Sequence, residues 1–409
     1  ARILSEKGGR LLRSLGSMTD GVRVIGFEKK ASIQTAALVN GLSAHVAELD
    51  DGVRFGGIHP GAPILSALLP LAERESLSAR RLLLGIVVGY EAAVRMARAV
   101  QPSHKAKGYH ATGTCGALGA AAGAATILGL DRSQMKHAFS CAATAAAGIL
   151  RATADESELK PFNAGQAAVH GLVAALMAQA GFAGPADVLG GDGGWLGLMA
   201  DEHDISQLER REGESFGIEQ VYFKPYAACR HCHSAIEAAL QIRSAHGIQP
   251  ELIDTVSVTT YASGICGHDH RDIAGASSAK MSIPYSVAVA LIRGRAGLDE
   301  FLPDQVGDPE VLALTRKVQV HADDALTALV PRKRPSIVEI TTNDRHRYSA
   351  RVDLPRGEPE NPLSEREIKQ QCIALSMFGG ASPEKAEALV ECVMCLDDGL
   401  EGLWRILYE

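Results

Sequence analysis

Gly113-Thr-Cys-Gly-Ala-Leu-Gly-Ala-Ala-Ala-Gly-Ala-Ala-Thr-Ile-Leu128 decides the fold class. Alanine favours helix, and recurring glycines let neighbouring helices approach with few bulky side chains between them. From Thr112 to Gly129 the chain also comes closest to a membrane span. It is better suited to close packing inside a globular core, and no apolar run reaches the ~18 residues a span needs. Five flanking stretches carry apolar residues at helical spacing: Ala31–Leu49, Pro63–Glu73, Ala79–Val100, Arg132–Ala147 and Gly165–Ala180. Ser133, just after the Gly129-Leu130-Asp131 turn, is placed to cap a helix.

The texture changes after about residue 220. Asp254–Thr260 and Ser336–Thr342 are β-branched and alternating, and Arg345–Leu354 alternates after an Asn343-Asp344 turn. Helices are expected at His233–His246 and Ser282–Arg293. Ser364 and Glu367 have capping-box spacing, so helix resumes there, after a linker from Pro355 to Pro362. The expectation is a mainly α protein: a large all-helical domain with a smaller α+β lid domain. The helical domain takes 1–223 and the lid 224–356, and the C-terminal helices of 357–409 return to the helical domain.

Composition narrows the function classes. Of 409 residues, 46% are hydrophobic and 22% charged, and the formal net charge is −7. That supports a packed core and speaks against a nucleic-acid or membrane partner. The one basic cluster, Arg332-Lys333-Arg334 between Pro331 and Pro335, is expected to be a solvated loop. The first residues lack a signal peptide's apolar segment, and eight cysteines are expected as free thiols in a reducing compartment, hence a cytoplasmic protein.

Four islands are polar for their surroundings. Ala47-Glu-Leu-Asp-Asp-Gly-Val-Arg-Phe-Gly-Gly-Ile-His-Pro-Gly-Ala-Pro63 places Glu48, Asp50, Asp51 and His59 around a glycine-rich turn. Lys105-Ala-Lys-Gly-Tyr-His-Ala-Thr-Gly-Thr-Cys-Gly116 sets His110 before a helix start, where free N–H groups attract carboxylates. Lys160 precedes a proline in Lys160-Pro-Phe-Asn-Ala-Gly165. Phe223-Lys-Pro-Tyr-Ala-Ala-Cys-Arg-His-Cys-His-Ser-Ala-Ile-Glu-Ala-Ala239 collects Lys224, Arg230, His231 and His233. That cation density suits anionic groups, and His233 and Glu237 have the spacing of a helical pair. Cys229-Arg-His-Cys232-His233 also matches a haem-attachment or zinc pattern, which makes a metal- or haem-binding protein the remote alternative. Each island alone has a bland counterpart: a helix terminus, an N-cap, a surface lysine.

Taken together the islands resemble the MmgE/PrpD family. The resemblance rests on Asn40-Gly-Leu-Ser-Ala-His45 with Asp50-Asp51, His59-Pro60, Gly108-Tyr-His110-Ala-Thr-Gly113 and Lys160-Pro-Phe-Asn-Ala-Gly165. It continues through Gly181-Phe-Ala-Gly-Pro185, Lys224-Pro-Tyr226 and Ser282-Ile-Pro-Tyr285, in order over almost the whole chain. It implies a helical domain with an α+β lid, a homodimer and no metal or organic cofactor, whereas the family's usual N-terminal helices are expected to be absent or trimmed in this sequence. The implied activity is that of a hydro-lyase like 2-methylcitrate dehydratase, acting on a small di- or tricarboxylate. An epimerase of an amino-dicarboxylate, as in iminodisuccinate epimerase, and a cis-aconitate decarboxylase are the alternatives. Carried over, His59, His110, Lys160 and Lys224 are expected to be catalytic and Tyr285 to approach the substrate; Cys229 is expected to be catalytic as well, and the polar islands make Glu48, Asp51, Arg230, His231 and His233 candidates for binding substrate. The family's decarboxylase pattern has histidine where this chain has Cys229, aspartate where it has Glu48, and threonine where it has Gly52.

Overall fold

A computed structural model describes residues 2–153, 157–396 and 399–408. The glycine-rich segment forms the helix Ala111–Ile127, buried at 16 of its 17 positions. A helix apolar on every side belongs in the middle of a bundle. Here Gly61–Arg74, Ala79–Val100, Arg132–Ala145 and Lys160–Gln179 pack around it, with Ile33–His45 against Lys160–Gln179. The glycines are the contact points. A Cβ on Gly171 would lie 2.5 Å from the Ala120 side chain, and one on Gly41 would lie 2.5 Å from the Gly165 backbone.

The second unit is α+β. Ile253–Thr260 pairs parallel with Val318–Ala322 and antiparallel with Ser336–Thr342, which pairs antiparallel with Arg347–Val352. In Ser336–Thr342 alternate residues are buried, because one face of the sheet is covered by the helix His233–His246. The helix Ile283–Arg293 packs on that helix in turn. Two cores result. One runs from Leu12 to Ala200 and includes Leu400 and Leu403; the other runs from Ala227 to Val352. The helix Glu401–Tyr408 packs on the first core because Leu403 and Leu407 stand one turn apart on its apolar side.

Several expectations are corrected. Asp131, not Ser133, caps Arg132–Ala145: its carboxylate accepts from the Gln134 amide, and Gln134 returns the bond. The strand Val318–Ala322 was not anticipated from sequence. Pro355–Pro362 is no plain linker, since Glu358 within it is fully buried and accepts from Arg54 of the helical body and Arg230 of the α+β unit. In the basic cluster Arg332 is exposed, but Arg334 is buried and donates to the Arg54 carbonyl. No helix among the described residues is long and apolar enough to cross a membrane.

Candidate active site

The first island is built by an early helix stop. Ile33–His45 ends at His45, and Glu48 then takes a φ of 54°, a left-handed turn rare outside glycine. The chain next forms a bridge between Gly52 and Tyr222, which sets Lys224 beside Asp50. A side chain on Gly52 would collide with the Tyr222 ring. Lys160 and His110 enter from the starts of their helices.

These residues meet in one network. The Glu48 carboxylate bridges two ammonium groups, pairing with Lys160 and accepting from Lys224 at 3.0 Å. Lys224, completely buried, also donates to Asp50 at 2.9 Å. His45 Nδ1–H donates to the other Asp50 oxygen at 2.6 Å. His59 Nδ1–H donates to the Asp51 carbonyl at 2.7 Å and lies 3.4 Å from Asp50. The His45 ring is 5.0 Å from that of His59 and 6.1 Å from that of His110. Asn163 donates to His110 Nδ1 at 2.9 Å. Those bonds fix tautomers: His59 keeps a free lone pair on Nε2, whereas His110 carries its proton there.

Charge follows from burial and neighbours. Burial opposes ionisation of Glu48, but Lys160 and Lys224 outweigh it and hold the carboxyl well below the usual range. Asp50 is likewise held ionised against its burial by His45, Lys224 and His59. Burial, then the charge of Asp50, raises Asp51 to about 7. Burial keeps His59 and His110 neutral, reinforced for His59 chiefly by Lys224 and for His110 by His45 and Lys160. Lys280, unforeseen from sequence, donates to the Val46 carbonyl at 3.0 Å, and burial lowers it to about 8.

A cavity of about 620 Å³ opens in front of this network, with Glu48, Lys160, Lys280, His270, Ser278 and Phe301 among its walls. His59, His110 and Lys224 stand behind the Glu48–Lys160 pair rather than on the wall. His45, Asp50 and His59 offer ligand atoms within 4.8 Å of one another, the one candidate metal group among the described residues. The Lys224 ammonium already holds one oxygen of that aspartate, and a fixed positive charge there opposes a dication.

Two family models match the chain: the MmgE/PrpD N-terminal domain over residues 7–208 and the MmgE/PrpD C-terminal domain over residues 226–398. The chain belongs to the MmgE/PrpD family. Its relatives include a human cis-aconitate decarboxylase, 26% identical over 379 residues, 89% of this chain and 76% of that protein. The mouse cis-aconitate decarboxylase is 26% identical over 386 residues, covering 90% and 76%. A cis-aconitate decarboxylase-like protein of Aspergillus oryzae is 25% identical over 379 residues, covering 85% and 76%.

Within this MmgE/PrpD chain the residues singled out from sequence divide into groups. His59, His110, Lys160, Lys224 and Glu48 converge on one network. Asp51 is tied to the fold: its carboxylate accepts from Tyr90 at 2.8 Å and from the Gly61 amide at 3.1 Å. Arg230 is spent on Glu358 and on the carbonyls of Pro355 and Arg356. His233 bonds Arg230 and the Ala228 carbonyl, so it neither faces the cavity nor pairs with Glu237, which accepts from the Arg356 amide instead. Cys232 is completely buried in the α+β core, and Cys229, Cys232 and His233 do not form a candidate metal group among the described residues. Tyr285 is also completely buried and donates to the Glu300 carbonyl, behind the cavity-lining Phe301. His231 belongs to a second cluster with Tyr261, His268 and Lys105, and Cys229, two residues before it, is half-buried.

Sequence reading gave no role to His45, Asn163, Lys280 or His268. His45 and Asn163 sit inside quoted signatures and Lys280 two residues before one, which was the available signal. Nothing local marks His268.

Proposed function

We propose that this MmgE/PrpD protein is a lyase that removes a proton next to a carboxylate of a small di- or tricarboxylate, without a cofactor, most simply as a hydro-lyase. The observation that carries this is the opposed pair of tautomers on His59 and His110 beside a group of lysines.

His59 Nε2 takes the proton. The imidazolium formed is stabilised by Asp50, 3.4 Å from Nδ1. The released electron pair moves into the neighbouring carboxylate, where the lysine ammonium groups oppose the growing negative charge in a water-poor site. Neutral His110 serves as a hydrogen-bond donor through Nε2–H, since a neutral imidazole polarises an oxygen without surrendering its proton. Lys160 and Lys280, both on the cavity wall, hold substrate carboxylates. For substrate to reach the imidazoles, its carboxylate takes over from Glu48 on Lys160.

Three differences separate the site from the family's decarboxylase pattern. Glu48 is one methylene longer than aspartate and spans both lysines. Gly52 leaves its space to Tyr222. Cys229 replaces an imidazole. Decarboxylation is therefore placed after dehydration. Epimerisation is the second reading, favoured by Cys229 as a further ionisable group close to Lys160.

The test is incubation of the purified chain in deuterated water with a panel of hydroxy-tricarboxylates, unsaturated tricarboxylates and amino-dicarboxylates. Nuclear magnetic resonance follows olefin, carbon dioxide loss, stereochemistry and deuterium at carbon. Dehydration predicts olefin with retained carboxylates. If His59→Asn or Lys160→Ala turned the accepted acid over at the wild-type rate, the proposal would fail.

A further inference from the structure

The cavity holds more room than a small acid fills. A six-carbon tricarboxylate occupies roughly 200 Å³ at the packing density of molecular solids, whereas the cavity measures about 620 Å³. A volume of that order encloses ligands of drug size. The chemistry of the walls decides what occupies the remainder.

The cations of the wall are gathered in one place. Lys160 pairs with Glu48, and Lys280 donates at 3.0 Å to the carbonyl of Val46, two residues before that glutamate. Both ammonium groups therefore meet the short stretch that joins the end of Ile33–His45 to the left-handed turn. The other basic side chains on the described wall are engaged elsewhere. Lys7 pairs with Glu158, and His270 Nε2 lies 3.1 Å from both oxygens of Ser278.

Beside each of the two lysines the wall turns apolar. Pro161 follows Lys160 and Met281 follows Lys280, and both border the cavity. The helix Ala276–Met281 packs on the turn Asp299–Phe301, which brings Phe301 and Leu302 to the same wall. Phe301 is only 1% exposed and rests on the Tyr285 ring at 5.5 Å, so it forms a fixed floor. Leu4 borders the space as well. These side chains offer a carboxylate no donor, and an ion set against them loses water without repayment. An alkyl chain gains from the same contact. Met281, unbranched and polarisable, adapts to chains of different shape.

We propose that the acid this site accepts carries an apolar arm of several carbons, with its carboxylates on Lys160 and Lys280 and the arm along Met281, Phe301 and Leu302. The inference rests on the reading of the cavity as a site for carboxylic acids. The arm takes no part in proton transfer. It supplies binding energy remote from the reacting carbon, and that energy holds the carboxylates in one orientation against the lysines. An acid without the arm leaves this part of the cavity to water and is bound more loosely.

Unreactive alkyl diacids test the arm apart from turnover. Succinate and its butyl, hexyl and octyl derivatives are titrated into the full chain by calorimetry. Kd is expected to fall by roughly two- to fourfold for each added methylene until the wall is covered, with a heat-capacity change that grows more negative along the series. Octylamine, which has the chain without the carboxylates, should bind far more weakly than octylsuccinate. Lys280→Ala should weaken succinate and octylsuccinate by similar factors, whereas Leu302→Asn should cut the preference for octylsuccinate over succinate by roughly tenfold. The wild-type series stands without either variant. A Kd that stays flat or rises with chain length, or octylamine bound as tightly as octylsuccinate, would overturn the proposal. Failure of the lyase reading looks different: the series keeps its slope, yet alkylated hydroxy acids gain neither olefin nor deuterium.

Discussion

Lys224 Nζ lies 3.0 Å from Glu48 Oε2, although 176 residues separate them in sequence. The lysine is completely buried and opens the segment that leads into the α+β unit, while the glutamate belongs to the helical body. A buried ammonium is tolerated only with its charge met. This contact and the Lys224–Asp50 bond join the two units at one place, and the Arg54–Glu358–Arg230 group joins them at another.

Lys224 and Lys160 share the same glutamate but should respond differently to removal. Lys224→Met removes the buried cation that Glu48 and Asp50 share, leaving each with one partner, Lys160 and His45, and should cost about 3–5 kcal/mol in stability, read as a fall in Tm and in the urea midpoint. Lys160 is next to the cavity, so Lys160→Met should change Tm less and lower kcat/KM by roughly 10²–10⁴. Equal losses of stability would contradict this division.

Substrate binding should weaken in alkali. Burial brings Lys280 to about 8, so its positive charge disappears as pH rises through that value. KM for an accepted dicarboxylate should climb above pH 8. In Lys280→Arg, whose guanidinium stays charged, the climb should vanish. A pH-independent KM in the wild-type enzyme between 7 and 9 would exclude Lys280 from carboxylate binding.

Stability should fall in acid in two stages. His59 and His110 are held neutral in the fold, so below about 6.5 the unfolded chain binds protons that the folded one does not, and stability declines. Glu48 and Asp50 are depressed, so their contribution is complete above about 4.3 and is lost as pH drops further. Tm measured from pH 8 to 3 should show both. His110→Asn should flatten the first stage and Glu48→Gln the second.

Glu358 should matter more than its place in a proline-bounded segment suggests. It is fully buried and is the carboxylate shared by Arg54 and Arg230, both stacked near aromatic rings. Glu358→Gln removes the countercharge and should destabilise the protein by about 3–5 kcal/mol, measured by chemical denaturation. A change under about 0.5 kcal/mol would mean that Glu360 and solvent suffice.

Helix positions were legible because they depend on spacing within one segment. The bounds predicted for Ala79–Val100, Ser336–Thr342 and His233–His246 coincide with those observed. The short strand Val318–Ala322 escaped notice because its pairing with Ile253–Thr260 is parallel and comes from far along the chain. In the candidate site, His59, His110, Lys160 and Lys224 stood out through their unusual local company. Arg230, His233 and Tyr285 also stood out, yet Arg230 is claimed by distant Glu358, Tyr285 by the Glu300 carbonyl, and His233 by its neighbours Arg230 and the Ala228 carbonyl.

The sequence by itself determined a helical body with a central small-residue helix, an α+β unit, membership of a family, and a set of imidazoles and amines rich enough for proton transfer. The helical and α+β units follow from composition and short-range periodicity, and the family from short signatures met in order along the chain. Tertiary structure alone decided which nitrogen of each imidazole carries the proton and which cations face the cavity. Such assignments depend on hydrogen-bond partners and burial supplied by segments tens to hundreds of residues apart, and no local pattern encodes them.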